Sequence, residues 1–341
     1  MPITNFPYGV SSFGVPVMPG SGPWTGTAFF VDPVNGSDSF DGKSPSRAFA
    51  TLYKAHDACT SGKNDVVYLI GDGESTGSAR LSTALAQGVD SAVTAGTLVW
   101  SKDATHLIGI GAPTFNRRAR IATPTGTYTY TTFGSVTNLI TVSGSGCFFS
   151  NFSVFSQFST GGTGEIMMEI TGTRNAFVGV DLLGPASTAA IQAAGCRTLK
   201  ITGGGENSFY GCNLGLDTVT RSAANATVEF AGATARNSFE DCTFPIYTDD
   251  AAALWVLGTG AGCMDRWQKF KNCLFLNNVE SGSTILTVGA SLTNAASGGM
   301  LVMANCNAVG MTKWGDTLAL AQMYVSNVDG AATSGLMLAP T

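Results

Sequence analysis

Charge is what this chain has least of. Asp, Glu, Lys and Arg make up 12% of its 341 residues, about half the usual ~25%. The net charge is −5, and no basic cluster is larger than Arg117-Arg118 with Arg120, so the electrostatic footprint of a nucleic-acid binder is missing. No apolar run approaches the ~20 residues that a membrane-spanning helix needs. The opening Met1-Pro2-Ile3-Thr4-Asn5-Phe6-Pro7 has neither the basic nor the apolar region of a signal peptide, and the expectation is a chain made in a cytosol and not exported as a precursor. Only two histidines are present and no Cys-x-x-Cys pair occurs among the eight cysteines, so zinc has no ligand set and no cofactor is expected. Disorder is also excluded, because 44% apolar residues are ample for a core.

What is abundant is glycine, 43 residues, and a repeat. A large apolar residue, two spacers and a small apolar residue recur as Phe149/Phe152, Phe177/Val180, Phe209/Cys212, Phe239/Cys242, Phe270/Cys273 and Met303/Cys306, in steps of 28, 32, 30, 31 and 33 residues. Such a period marks units that cannot bury an apolar face alone and must stack. Two positions after the small residue comes another apolar one (Val154, Leu182, Leu214, Phe244, Phe275, Ala308), the alternation of a strand. Just before it stand Asn151, Gly179, Gly211, Asp241, Asn272 and Asn305, residues that tolerate the positive φ of a tight corner. A second alternating run lies upstream in each unit: Ile140/Val142, Met168/Ile170, Leu199/Ile201, Val228/Phe230, Trp255/Leu257 and Leu286/Val288. Strand, variable turn, strand, tight corner, strand, with no helix between, predicts a parallel β-helix, and six coils at ~4.8 Å make a column about 29 Å tall.

In this frame Cys212, Cys242, Cys273 and Cys306 occupy a core position that is Phe152 or Val180 in other coils. They are expected to be a buried ladder of free thiols rather than disulfides. The other four, Cys59, Cys147, Cys196 and Cys263, have no metal-like spacing.

Ahead of the repeat, residues 1–24 mix Pro, Gly and Ser with Phe6, Tyr8, Phe13, Val15 and Val17, and five prolines argue against regular pairing. This reads as an extended docking arm, with Phe6, Pro7, Tyr8, Phe13, Val15 and Pro16 as its candidate contacts. Residues 25–64 form an entry segment: Ser44 and Pro45 look like a helix start, Phe49, Leu52, Tyr53, His56 and Cys59 follow at helical spacing, and Gly62 ends the run. A helix there caps the end of the solenoid core. Residues 65–341, opening on the strand Asp65-Val66-Val67-Tyr68-Leu69-Ile70, make the β-helix with its C-terminal cap.

Candidates for chemistry are sparse. A calcium-dependent lyase needs clustered acids with an Arg or Lys base, and a glycoside hydrolase needs two carboxylates ~5–10 Å apart in one groove. Asp249-Asp250 alternate faces unless they sit in a turn. Glu165 and Glu169 are read on one face but about 13 Å apart. Asp217 stands alone, and in Glu240-Asp241 the second acid is a corner residue. Asp38-Ser39-Phe40-Asp41-Gly42 has the acid spacing of a weak calcium loop without a bidentate Glu, and reads as a turn. His56 falls on the apolar face of the capping helix, and His106 has no Ser or Cys at motif spacing. Gly203-Gly204-Gly205 lacks the strand-to-helix context of a phosphate loop. The five tryptophans, Trp24, Trp100, Trp255, Trp267 and Trp314, do not recur between coils as a sugar-stacking row would.

The order Val31-Asp32, Asn35-Gly36-Ser37-Asp38, Asp41-Gly42-Lys43-Ser44-Pro45, Ala48-Phe49-Ala50-Thr51-Leu52 and Asp65-Val66-Val67-Tyr68-Leu69 resembles the entry segment of right-handed parallel β-helix proteins of the pectate-lyase-like superfamily, including phage tailspikes. The opening Thr4-Asn5-Phe6-Pro7-Tyr8-Gly9-Val10-Ser11-Ser12-Phe13-Gly14-Val15-Pro16 is similar to the start of β-helix proteins encoded with phage head genes. The first resemblance implies a fold, and enzymes and inert spikes share it. The second implies a virion protein that decorates the capsid as a homotrimer, with the major capsid protein as partner; the missing acid cluster makes the expectation a non-enzymatic one. The competing expectations are a tailspike that binds or depolymerises host-surface glycan and an unattached polysaccharide lyase, the latter disfavoured by the missing export signal.

Overall fold

A computed structural model describes residues 11–12, 15–16, 26–71, 79–80, 93–94, 97–123, 138–156, 164–185, 193–277, 284–292, 299–327 and 329–331. Its architecture is the right-handed parallel β-helix. One coil illustrates the unit. Ile166–Ile170 lies in a first sheet, residues 171–175 turn, Ala176–Val178 lies in a second sheet, Gly179 makes a corner, and Asp181–Pro185 lies in a third. The three sheets hold eight, ten and ten strands. The second runs from Ala28–Val31 to Met323–Ser326, so the column extends past the six coils read from the sequence, and its ten strands stand about 43 Å from first to last.

The corner residues do what their side chains allow. Asn151, Gly179, Gly211, Asp241, Asn272 and Asn305 all have φ between 52° and 59°, and the chain reverses in one residue between the second and third sheets. The phenylalanines then fall in register: Phe149, Phe177, Phe209, Phe239 and Phe270 stack with ring centroids 4.7, 4.6, 4.4 and 4.7 Å apart and planes within 9°. Beside them the four ladder cysteines are buried free thiols. Cys212, Cys242 and Cys273 donate to the carbonyls of Phe177, Phe209 and Phe239 in the preceding coil. All eight cysteines are free and buried.

A second ladder went unread in the sequence. Two residues before Phe177, Phe209, Phe239 and Phe270 stand Asn175, Asn207, Asn237 and Gln268, all buried. The Oδ1 of Asn175 accepts from the Cys147 N–H, Asn207 from Asn175, Asn237 from Asn207, and Gln268 through Oε1 from Asn237, at 2.8 to 3.2 Å. Buried backbone donors at the turn into the second sheet thus find acceptors one coil away.

Three expectations need correction. In the first sheet, two consecutive residues turn inward (Leu139/Ile140, Met167/Met168, Thr198/Leu199, Thr227/Val228, Trp255/Val256), which shifts the alternation by one. Leu257 therefore pairs with Glu229 on the outward side, and Val256 and Gly258 continue the inward rows of Val228 and Phe230. In the next coil the first-sheet strand is Ala290–Leu292, not the run at Leu286/Val288, because the longer connection absorbs those residues. The entry helix also starts later. Pro45–Arg47 is a short 3₁₀ turn and Ser44 makes no side-chain cap. The Asp38 carboxylate accepts from the N–H groups of Ala50 and Thr51 and from the Thr51 hydroxyl, holding that stretch out of the helix. Helix α1 is Leu52–Ala58, and Thr51 caps it by accepting from the Lys54 N–H. Its last carbonyls receive the Lys102 ammonium, which donates to His56, Asp57 and Cys59 at 2.6 to 2.8 Å.

Of the arm, Phe6, Pro7, Tyr8 and Phe13 lie outside the described residues. Val15–Pro16 pairs antiparallel with Ser11–Ser12, a two-residue ladder where the prolines argued for none; such a short edge leaves room for a residue without an N–H.

Candidate functional site: the outward face of the first sheet

The residues preceding Ile170, Ile201 and Phe230 point away from the core and line up across coils. Thr141, Glu169, Lys200, Glu229, Leu257 and Ser291 are successive partners along one row. Beside it runs a second row containing Asn138, Ile166, Arg197 and Ala226. Glu169 and Glu229 flank Lys200 at two strand spacings, about 9.6 Å between backbones. Two carboxylates and a cation thus share a face of the column, an arrangement missed because the acids are 60 positions apart in sequence. The signal was available, since each stands one residue before an inward residue of the repeat.

All four carboxylate oxygens are occupied. Glu169 accepts from the Asn138 amide and, at 2.7 Å, from the Thr202 hydroxyl. Glu229 accepts from Arg197 Nε at 2.6 Å and from the Thr259 hydroxyl at 2.6 Å. Arg197 is itself buried and also donates to the carbonyls of Ala194 and Cys196. Each of these carboxylate oxygens thus holds one donor from the chain itself and keeps a second acceptor site.

The acids singled out from the sequence are dispersed or engaged. The double inward step at Met167/Met168 separates Glu165 from Glu169: Glu165 is 1% exposed, and burial pushes its carboxyl up to about 7, with the Ser156 hydroxyl opposing. Asp249 and Asp250 do sit in a turn, where Asp249 accepts from the Ser222 hydroxyl and Asp250 from the Ala252 N–H. Asp217 is exposed. Glu240 is paired with Lys269 and Lys271, and Asp241 is the corner. In the Asp38–Gly42 loop, Asp38 holds the residues before α1, and Asp41 takes the Lys43 N–H and Arg47. Among the described residues no group of three or more His, Cys, Asp or Glu could hold a metal ion, and no helix is long and apolar enough to cross a membrane.

Both histidines are structural. His56 accepts from the Ser101 N–H through Nε2 and packs 4.8 Å from the Trp100 ring. His106 accepts from the Phe148 N–H through Nδ1 and faces Asn64 Oδ1 with Nε2. Burial pulls each down to about 4.

A shallow groove of about 260 Å³ lies at the corner between the second and third sheets, between Tyr210, Val178 and Pro113. Arg117 lies along it, tied to the buried Asp181 carboxylate. Its guanidinium crosses Gly179, where a Cβ would come within 2.7 Å of Nη2.

No family model and no curated protein matches this chain. Solved structures do. Pectin methylesterase PemA from Erwinia chrysanthemi is 13% identical with a TM-score of 0.58, over 90% of each chain. A rhamnogalacturonan lyase is 15% identical with a TM-score of 0.51, over 84% of this chain and 75% of its own. The Geobacillus virus E2 protein ORF18 aligns at 11% identity and a TM-score of 0.48, over 82% of this chain and 46% of its own, a likeness too low to carry any argument. At these identities the similarity establishes the parallel β-helix and leaves activity open.

Proposed function

We propose that this chain is a non-enzymatic structural protein of a phage virion, made in the host cytoplasm and standing on the capsid exterior as a homotrimeric spike. The arm at residues 1–24 contacts the major capsid protein and the β-helix projects outward. The observation that supports the non-enzymatic part is that Glu169 and Glu229, the two acids best placed to act together, are each tied down by two of the chain's own donors. The virion part is supported by the opening sequence at residues 4–16. Incubating the purified protein with the host's capsular and lipopolysaccharide glycans, with calcium present, is expected to release neither reducing ends nor unsaturated products. Release that Glu169→Gln or Glu229→Gln abolishes would replace this reading with a glycan-cleaving one.

A second reading, retention of host-surface glycan without cleavage, is favoured by Lys200, which stands between the two glutamates on a row that also holds Thr141 and Ser291 and makes no ion pair among the described residues. Loss of glycan retention in Lys200→Ala would support it.

A further inference from the structure

The three faces of the column differ in kind. The first sheet's outward side carries Glu169, Arg197, Lys200 and Glu229. The third's carries Arg120, Ser153, Asp181, Asn213, Thr243 and Asn307 along one row, broken by Leu274. The second sheet's is apolar over most of its height. One row reads Phe30, Tyr68, Ile108, Ser150, Val178 and Tyr210. Higher up, Trp267 stands beside Met300, and Val302 beside Tyr324. Tyr210, Met300 and Tyr324 are 54%, 38% and 68% exposed.

Across the middle of this face Lys269 and Lys271 lie 2.5 and 3.6 Å from the single Glu240 carboxylate, a group with one net positive charge. Lys269 also sits over the Trp267 ring at 5.9 Å.

We infer that this face is where copies of the chain meet, the outward sides of three second sheets turned towards a common axis parallel to the columns. The inference rests on the side-by-side assembly proposed above and adds which surface makes it. Length argues for a second copy rather than another partner, because a face with apolar stretches towards both ends of a ~43 Å column is matched in height and spacing by another column of the same kind. Size agrees: ten strands by four or five residues give a face on the order of 600 Å², near the ~800 Å² per partner of a stable interface and at or above the largest patch of a typical monomer. The groove beside Tyr210 gives this face a recess for a neighbour's side chain.

The test is sedimentation velocity on the full chain, on Tyr210→Lys with Tyr324→Lys, and on Leu274→Lys as a control from the third sheet. The substituted side chains are exposed, so far-ultraviolet circular dichroism is expected to be unchanged in all three. The inference expects a three-fold fall in mass, to the 35.1 kDa of one chain, for the double variant alone. A wild-type chain that is monomeric overturns the assembly reading and this inference with it. A trimer that survives the double substitution, or dissociates only in Leu274→Lys, overturns the assigned face and leaves the assembly standing. A surviving trimer that no longer binds particles overturns it too, and assigns the face to the shell.

Discussion

Glu165, His56 and His106 are buried titratable groups whose effects on stability oppose each other. Below pH 6.5 the unfolded chain protonates imidazoles that the fold keeps neutral down to about 4, so their contribution is present above 6.5 and is lost as pH falls through 4. Glu165 has the reverse sign. Its folded value of about 7 lies above the ordinary 4.5, so stability is lost as pH rises from 4.5 through 7. Glu165→Gln should therefore gain up to about 3 kcal/mol over wild type at pH 8 and nothing at pH 4, read as the difference in urea midpoints. An equal difference at both values would show that the carboxyl is not held as described. At this scale the sequence was partly legible. The corners were readable because positive φ restricts residue choice so sharply, and His56 because it falls on an apolar helical face. Glu165 was not, because alternation by two cannot foresee a pair of consecutive inward residues.

Repeated elements supply most of the evident stabilisation. Phe239 is fully buried between the stacked rings of Phe209 and Phe270, and Phe270, equally buried, ends the stack next to Met303; replacing either by Ala should cost about 3 to 5 kcal/mol. Asn207→Ala removes the acceptor of the Asn175 N–H and the donor to the Gly172 carbonyl, and should cost about 2 to 4 kcal/mol by stranding buried polar groups; chemical denaturation measures both. Thiol titration of the native protein should leave Cys212, Cys242, Cys273 and Cys306 unreactive until denaturation, and a disulfide among them in non-reducing peptide maps would refute the ladder. Stacking places one residue type over itself, so it was visible as a period. The amide ladder has the same period, with Asn two residues before Phe, yet its role depends on donors one coil away, which no single-coil reading reveals. The helix start was misplaced for a similar reason, because the Asp38 carboxylate that sets it acts across 12 and 13 residues.

The whole molecule is a column with three unlike faces: one polar and carrying Glu169, Lys200 and Glu229, one polar and crossed by the Arg117–Asp181 pair, and one largely apolar with Glu240, Lys269 and Lys271 across its middle. Its paired carboxylates are each held by two donors of the chain itself. The fold was legible because a solenoid writes its period along the chain. The polar face was not, because residues from three coils meet there. The most direct test of a capsid-attached spike is binding of the purified chain, with and without residues 1–24, to particles that lack it, followed by co-sedimentation. The account predicts that the full chain binds and that the truncated chain, still folded, does not. Equal binding by both, or none by the full chain, would contradict it.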